Sequence, residues 1–392
     1  VAGDGVATLA VEERLTIANM STEWGALAAV FPADEGTFHW LENRVQFLRR
    51  RGLAGVVSDA DGQDGEHPRL CDERIRALRA EVPVADEDAV YAKEITLELS
   101  TVSPHVSGPD HVKVMRPVSE VGEVEIHKAY LVSCVNSRVE DLAEAARVVK
   151  GKTVAPGVEF YVAAASSEVQ SGAEENGDWQ TLLDAGAVAL PPGCGPCIGL
   201  GVGLLKDGEV GISATNRNFK GRMGSRSARA YLASPAVVAA SAMTGYITAP
   251  YEVETKKISA HLSQPPRQSK PAQSVSLIDG FPGQAEGEVV FCHADNINTD
   301  GIYPGQYTNV DDFTPEQQAE VVMENYDPQF AKSVKRGDIL VGGFNFGTGS
   351  SREQAATALK HRGIQLVVAG SFSETYKRNA LNNGFVVVEC PE

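Results

Sequence analysis

Cysteine is sparse in this chain: six in 392 residues, at positions 71, 134, 194, 197, 292 and 390. That is too few for a disulfide scaffold and fits a reducing compartment. Positive charge is also short, with 35 Lys and Arg against 52 Asp and Glu and a net charge of −17. Such a chain repels a phosphate backbone overall, so a nucleic-acid partner is not expected. No uninterrupted apolar run approaches the roughly 20 residues of a spanning helix, and a membrane partner is not expected either. The eight histidines contain no H-x-x-x-H or H-E-x-x-H spacing, which excludes a zinc peptidase of that kind. There is no internal repeat and no extended low-complexity segment. The opening VAGDGVATLAVEERLTIANM has no initiator Met and no charged-then-apolar leader, so the sequence is expected to start inside a longer protein.

The composition that is present, 43% hydrophobic and 22% charged, is that of a packed globular chain. Its clearest boundary is the stretch from Gln264 to Gly283, with four prolines and little apolar periodicity, which reads as a semi-rigid linker. A weaker break lies at the acidic, Gly-rich Asp59–His67. Between Ala80 and Ala260, strand-type and helix-type patterns alternate. HKAYLVSC, VEFYVAAAS, AVALP and VGISAT read as strands, while VEDLAEAARVVKGK and EENGDWQTLLDAG read as helices. After the linker the pattern recurs, with EVVFC, DILVGGF, a helix over Ser351–Arg362, IQLVVAG, another helix and FVVVE. Alternation of this kind predicts parallel strands with crossover helices, an α/β architecture on both sides of the linker.

Several polar motifs fall at strand ends. Cys134 closes the first strand, and Ser137-x-x-Glu140 predicts a capping box at the next helix. Ser350-x-x-Glu353 predicts a second one, and Asn216-Arg217 follows VGISAT. Open α/β sheets bind ligands outside the carboxyl ends of their strands, so these motifs predict one site for an anion.

Cys134 and the loop PPGCGPCIGLG, with Cys194 and Cys197, form the first chemical constellation. A second C-x-x-C or a His pair, which a four-ligand zinc site would want, is missing. The glycines make an open loop rather than the helix start of a thioredoxin motif. Three thiolates could instead hold an iron–sulfur cluster with one iron left free, or be buried and inert. The second constellation is Asn216-Arg217-Asn218-Phe219-Lys220-Gly221-Arg222, whose arginine forks suit carboxylates, although a solvated basic turn would look the same. The third is Gly347-Thr-Gly-Ser-Ser-Arg352-Glu353. It lacks the lysine of a phosphate P-loop and the G-x-S-x-G of a hydrolase elbow, and could be no more than a capped helix start.

Taken together, SCVNS, PPGCGPCIG, SATNRNFKGRMG and GTGSSREQAA, with RLTIANMSTEWGA and HADNINTDGIYPG, resemble the aconitase superfamily of iron–sulfur hydro-lyases in order and spacing across nearly the whole chain. The resemblance implies an α/β fold in which a parallel or mixed sheet domain carrying the cluster cysteines is joined to a smaller α/β swivel domain. Residues 1–80 would be the later part of the family's second domain and 81–262 the third domain. Residues 263–283 would be the linker and 284–392 the swivel domain, incomplete at its C-terminus. VEFYVAAAS, GDWQTLLDAGA and NFKGRMGS resemble most the branch that interconverts homocitrate and homoisocitrate through cis-homoaconitate in lysine (α-aminoadipate) biosynthesis. Citrate and 3-isopropylmalate are the alternative substrates, and a non-catalytic metal-binding or RNA-binding chain is the alternative from another class.

Carried over by position, the resemblance implies that Cys134, Cys194 and Cys197 hold three irons of a [4Fe–4S] cluster, with Asn216 beside it. The fourth iron would bind the substrate's hydroxyl and carboxylate as a Lewis acid. Asn19 and Glu23 match a pair beside that iron, Glu23 on the catalytic side and Asn19 toward substrate. Arg217, Arg222, Ser351 and Arg352 match substrate contacts. Ser350 matches the base that takes a proton from carbon, helped by backbone N–H groups of a helix start and by Arg352. Asp300 matches an acid/base-side aspartate, and Ile302–Val310 matches the substrate-selecting loop. The resemblance further implies a small tricarboxylate as partner, a monomer, the mitochondrial matrix, and a cluster that is exposed and easily lost. Because the family's first domain is not represented, the isolated chain is expected to show little or no turnover.

Overall fold

Strands of this chain are apolar on both sides where both sides of the sheet are covered, and their alternation shows which cover each side chain meets. A computed structural model of the chain describes all residues except 51, 53–66, 68, 253–255, 264–282, 309, 311 and 392. In chain order its strands are β1 (Glu94–Leu97), β2 (His105–Ser107), β3 (Met115–Pro117), β4 (Lys128–Val132), β5 (Glu159–Ala163), β6 (Val188–Ala189), β7 (Val210–Ser213), β8 (Arg229–Ala233), β9 (Ala260–Ser263), β10 (Val289–Phe291), β11 (Ile339–Gly342), β12 (Leu366–Ala369) and β13 (Val386–Glu389). The linker stretch lies outside the described residues except at its two ends, as does the Asp59–His67 break except at His67.

Two units group separately: Val1–Ala18, Ala29–Thr101 and Ile258–Ser269 in one, Asn19–Ala28, Val102–Lys257 and Lys270–Glu392 in the other. The first contains most of α1 (Val11–Met20), then α2 (Glu35–Arg50) and α3 (Asp72–Ala80), with Phe38, Val45 and Ile75 buried between them. Arg14, almost fully buried, forks onto both carboxylate oxygens of Asp34 at 2.8 and 2.7 Å. An antiparallel ribbon of β1 and β9 completes this unit.

The second unit contains a seven-stranded mixed sheet in the order β3-β2-β8-β7-β4-β5-β6. The run from β8 to β6 is parallel, while β2 and β3 join antiparallel at one edge. From β4 the chain builds outward through β5 to β6, then returns to the other side of β4 with β7. The switch point of the sheet therefore lies between β4 and β7, where the crevice for a ligand opens in folds of this kind. Helices α4 (Val139–Val149), α5 (Ser167–Glu175), α6 (Asp178–Asp184) and α7 (Pro235–Thr244) belong to this part of the chain, and α4, α6 and α7 contribute to a core with Ala129, Leu131, Phe160 and Val162. The alternate side chains, Tyr130, Val132, Tyr161 and Ala163, pack instead with Leu190, Cys197, Leu205 and Met223. The Cys197 loop is thus the second cover of the sheet.

The same unit holds a four-stranded parallel sheet in the order β10-β11-β12-β13, with α8 (Thr299–Ile302), α9 (Pro315–Glu320), α10 (Phe330–Ser333), α11 (Gln354–Arg362) and α12 (Glu374–Asn382). Its core includes Ile302, Tyr303, Leu340, Phe346, Leu359, Val367 and Tyr376.

Both predicted capping boxes are corrected. At α4 the cap is Arg138, whose backbone N–H donates to Asp141 Oδ2 at 2.9 Å, while the Ser137 hydroxyl is buried without a partner. The Arg138 side chain has no acceptor, so only the Asp141 half of a box forms. At α11 the helix starts at Gln354, not Ser351, and Glu353 makes no cap contact; its carboxylate accepts from Asn383 Nδ2 at 3.1 Å instead. Before the helix, the Arg352 side chain is buried and turns onto Asp300 at 3.1 Å. The CGPC loop is also tighter than an open loop, winding a short 3-10 turn over Gly195–Ile198.

Candidate active site

The turn after β4 is closed by Ser133, whose hydroxyl accepts from the N–H groups of Val135 at 3.0 Å and Asn136 at 2.8 Å. That turn presents Cys134 at the surface, while Cys194 is half-buried and Cys197 buried. The three thiols are neighbours. Burial, followed by the charges of Cys134 and Cys197, raises the Cys194 thiol, which also lies within hydrogen-bonding reach of Cys134. Burial raises Cys197 too, against the pull of Arg222. Arg222 Nε donates to the Cys197 carbonyl at 2.8 Å, tying the basic turn to the cysteine loop. Among the described residues no three His, Cys, Asp or Glu side chains form a group that would hold a metal ion. A cluster differs from a lone ion because it spreads its cysteines over separate irons, and three neighbouring thiols in a Gly-rich turn suit that chemistry.

Across the switch point, the segment after β7 meets Asn19–Trp24. Asn216 Nδ2 donates to Asn19 Oδ1 at 2.7 Å, and Arg217 Nε pairs with Glu23 Oε1 at 2.9 Å. A third bond runs from Arg217 to Thr22 Oγ1 at 2.8 Å. The Arg217 and Glu23 side chains are only 11% and 8% exposed, so the pair is desolvated and each partner needs the other. The loop after β11 is fastened to the same segment, with Thr348 Oγ1 donating to the Thr22 carbonyl at 2.9 Å.

Ser350 follows in that loop. Its carbonyl accepts from Thr299 Oγ1 at 2.8 Å, which leaves the half-buried hydroxyl free of protein bonds among the described residues. Asp300, on α8, accepts from Arg352 at 3.1 Å, from the Gly305 N–H at 2.7 Å and from Asn325 at 3.0 Å. Burial lowers the Arg352 guanidinium below its ordinary value and Asp300 acts in opposition; the charges of Arg222 and Arg217 lower it further. The three arginines are therefore close enough to repel, and an arginine stays protonated regardless. Arg222 and Arg352 share one aromatic platform, at 5.1 and 4.9 Å from the Phe219 ring centre.

Arg222, Asp300, Ser350, Ser351 and Arg352 line one cavity of about 860 Å³, together with Gly199 of the cysteine loop. Glu23 and Arg217 line a smaller cleft that shares Asp300 and Ser350 with it. Asn19 and Asn216 bond to each other behind that cleft, and Ser351 is exposed with only a long 3.5 Å contact from Asn379. The helix after Ser350 begins only at Gln354, and arginines bring positive charge to the cavities that Ser350 lines. Sequence reasoning missed Phe219, Asn298, Asn325 and His111. Phe219 sat inside a quoted motif, but its role depends on Arg352, far along the chain. His111 joins Glu23 at the small cleft from the loop between β2 and β3, and burial lowers its imidazole. No spacing in the sequence marks it.

The aconitase family (aconitate hydratase) matches residues 1–245, and the aconitase C-terminal domain matches residues 264–392. The chain belongs to the aconitase family. A mitochondrial homoaconitase of Mycosarcoma maydis is 54% identical over 99% of this chain, and one of Candida parapsilosis is 53% identical over all of it. The aconitase-family chain spans 56% of the length of the first and 58% of the second. A solved 3-isopropylmalate dehydratase of Methanocaldococcus jannaschii is 42% identical over 26% of this chain and 59% of its own, with a TM-score of 0.24.

Proposed function

We propose that this aconitase-family chain forms the cluster-bearing and substrate-binding part of a hydro-lyase that interconverts homocitrate and homoisocitrate through cis-homoaconitate, in lysine biosynthesis and in the mitochondrial matrix. The relatives that carry the name mitochondrial homoaconitase support the substrate and the compartment. The observation that carries the chemistry is the convergence of Arg217, Arg222 and Arg352 around a serine hydroxyl that no protein group among the described residues bonds.

Cys134, Cys194 and Cys197 would hold a [4Fe–4S] cluster, which when bound supplies a Lewis acid at its open iron. The protein's own groups do the rest. Arg217 and Arg222 offer forked donors to substrate carboxylates, and each is pre-aimed by a bond to Glu23 or to the Cys197 carbonyl. Ser350 acts as an alkoxide, its own proton released to solvent and its charge stabilised by the surrounding guanidiniums; it takes the proton from the carbon next to the leaving hydroxyl, which gains a solvent proton and departs as water. Arg352, anchored on Asp300 and the Tyr303 carbonyl, keeps that field in place. In the hydration direction Ser350 returns the proton to carbon.

Binding tests the reading. Homocitrate, citrate and 3-isopropylmalate are titrated calorimetrically into anaerobically reconstituted protein. Homocitrate should bind tightest, and Arg217→Gln or Arg222→Gln should weaken it roughly tenfold or more, the worth of one charge-assisted fork. Ser350→Ala should leave affinity nearly unchanged, since the serine moves a proton. Tighter binding of 3-isopropylmalate, or arginine variants that bind as well as the parent, would overturn the assignment.

A further inference from the structure

The cavity wall carries more positive charge than the site accounts for. Lys220, Arg222, Arg226 and Arg352 line it, against a single carboxylate among the described lining residues, Asp300. In a chain of net charge −17, that concentration of cations marks an anion site. Asp300 is already committed to Arg352, and Arg222 is anchored on the cysteine loop. Lys220 is exposed and lies in the field of Asp110. Arg226 is different. It is half-buried, and among the described residues no carboxylate pairs with it and no acceptor bonds it.

Arg226 sits at the side of the cavity formed by the loop after α8. Gln306 and Thr308 of that loop line the same space, and the positive charge of Arg226 acts on the Tyr307 hydroxyl. By contrast, Arg222 and Arg217 act on the Cys197 thiol, at the cysteine side. The arginine is seated by a close backbone approach. Gly221 has φ +83°, and a Cβ there would lie 3.0 Å from Arg226 Cγ and 4.0 Å from its Cα. A turn that only glycine makes comfortably leaves room for the arginine stem.

We propose that Arg226 is the receptor for the distal carboxylate of the tricarboxylate substrate, with Gln306 lining the same space, so that chain length is read between Arg226 and the Arg222–Arg352 pair. This rests on the tricarboxylate reading given above. The guanidinium offers a fork to a carboxylate carried on the substrate's longer arm, and an uncharged group there leaves a half-buried cation without a partner.

The test compares homocitrate with its distal monoamide, titrated into the reconstituted protein and into Arg226→Gln and Arg226→Lys variants. The parent should prefer homocitrate by roughly tenfold or more. In Arg226→Gln that preference should vanish while affinity for the amide stays put, and Arg226→Lys should restore part of it. Arg222→Gln should weaken both ligands together. Thermal melting should be unchanged in the Arg226 variants, which lose no protein hydrogen bond. If Arg226→Gln still discriminates as the parent does, the assignment of Arg226 is wrong and the tricarboxylate reading stands. If the parent binds neither ligand, both readings fall.

Discussion

Asp141 has no place in the chemistry, yet it shows how one buried charge is tolerated. Its carboxyl caps the N–H of Arg138 at the start of α4, and burial pushes its pKa up to about 6, with the Arg138 bond and charge opposing and the charges of Glu144 and Glu140 adding. A carboxyl raised in the folded state binds more protons there than in the unfolded chain, between the ordinary carboxylate pKa and about 6. Its favourable contribution is therefore complete below that window and lost as the pH rises through it. Asp141→Asn keeps an acceptor for Arg138 and removes the ionisation. Relative to the parent, the variant should gain about 2 kcal/mol between pH 4 and pH 7.5 in urea unfolding, the raised pKa discounted for partial solvent access. A difference that stays flat with pH would contradict this. The Glu23–Arg217 pair lies at the same scale with the opposite logic: a cation and an anion leave water together, and neither is stable there alone.

Among the elements, the loop from Phe346 to Arg352 matters most, because it holds Ser350 just beyond two anchors. One is Thr348 on the Thr22 carbonyl; the other is Gly347, at φ +75°, packed against the Tyr376 ring of α12. A methyl group at Gly347 would collide with that ring and strain the backbone, and Tyr376 is itself locked against Phe346 and Phe372 at 5.4 and 6.0 Å. Gly347→Ala should cost roughly 2–4 kcal/mol in chemical unfolding. A variant as stable as the parent would show that the loop is not held this way. The sequence was legible where burial imposes a period. Ala129 and Leu131 alternate with Tyr130 and Val132 between two covers, and the parallel strands follow. Helix starts were less legible, because Ser-x-x-Glu suits a turn as well as a cap. Ser133 and Asp141 carry the local bonds that Ser137 and Glu140 were expected to make. Helix α7 is buried along eight of its ten residues and has no polar stripe, so periodicity does not mark it, although Ser234 and Pro235 give the usual start signal.

Over the whole molecule, what the sequence could not show is pairing at long range. Asn216 bonds a residue 197 positions away, and Thr348 one 326 positions away. Motif resemblance put each residue into a role, but only the fold reveals that Arg217 is neutralised by Glu23, that Phe219 lies beneath two guanidiniums, and that Arg226 has no bonding partner among the described residues. The proposed function requires the three thiols and the arginine-lined cavity to form one site. Anaerobic reconstitution with iron and sulfide, followed by electron paramagnetic resonance of the reduced protein with and without homocitrate, tests it directly. The expected result is a [4Fe–4S] signal that shifts on adding homocitrate and does not shift with a monocarboxylate. A cluster signal indifferent to homocitrate, or no cluster with Cys194 and Cys197 freely alkylated, would contradict it.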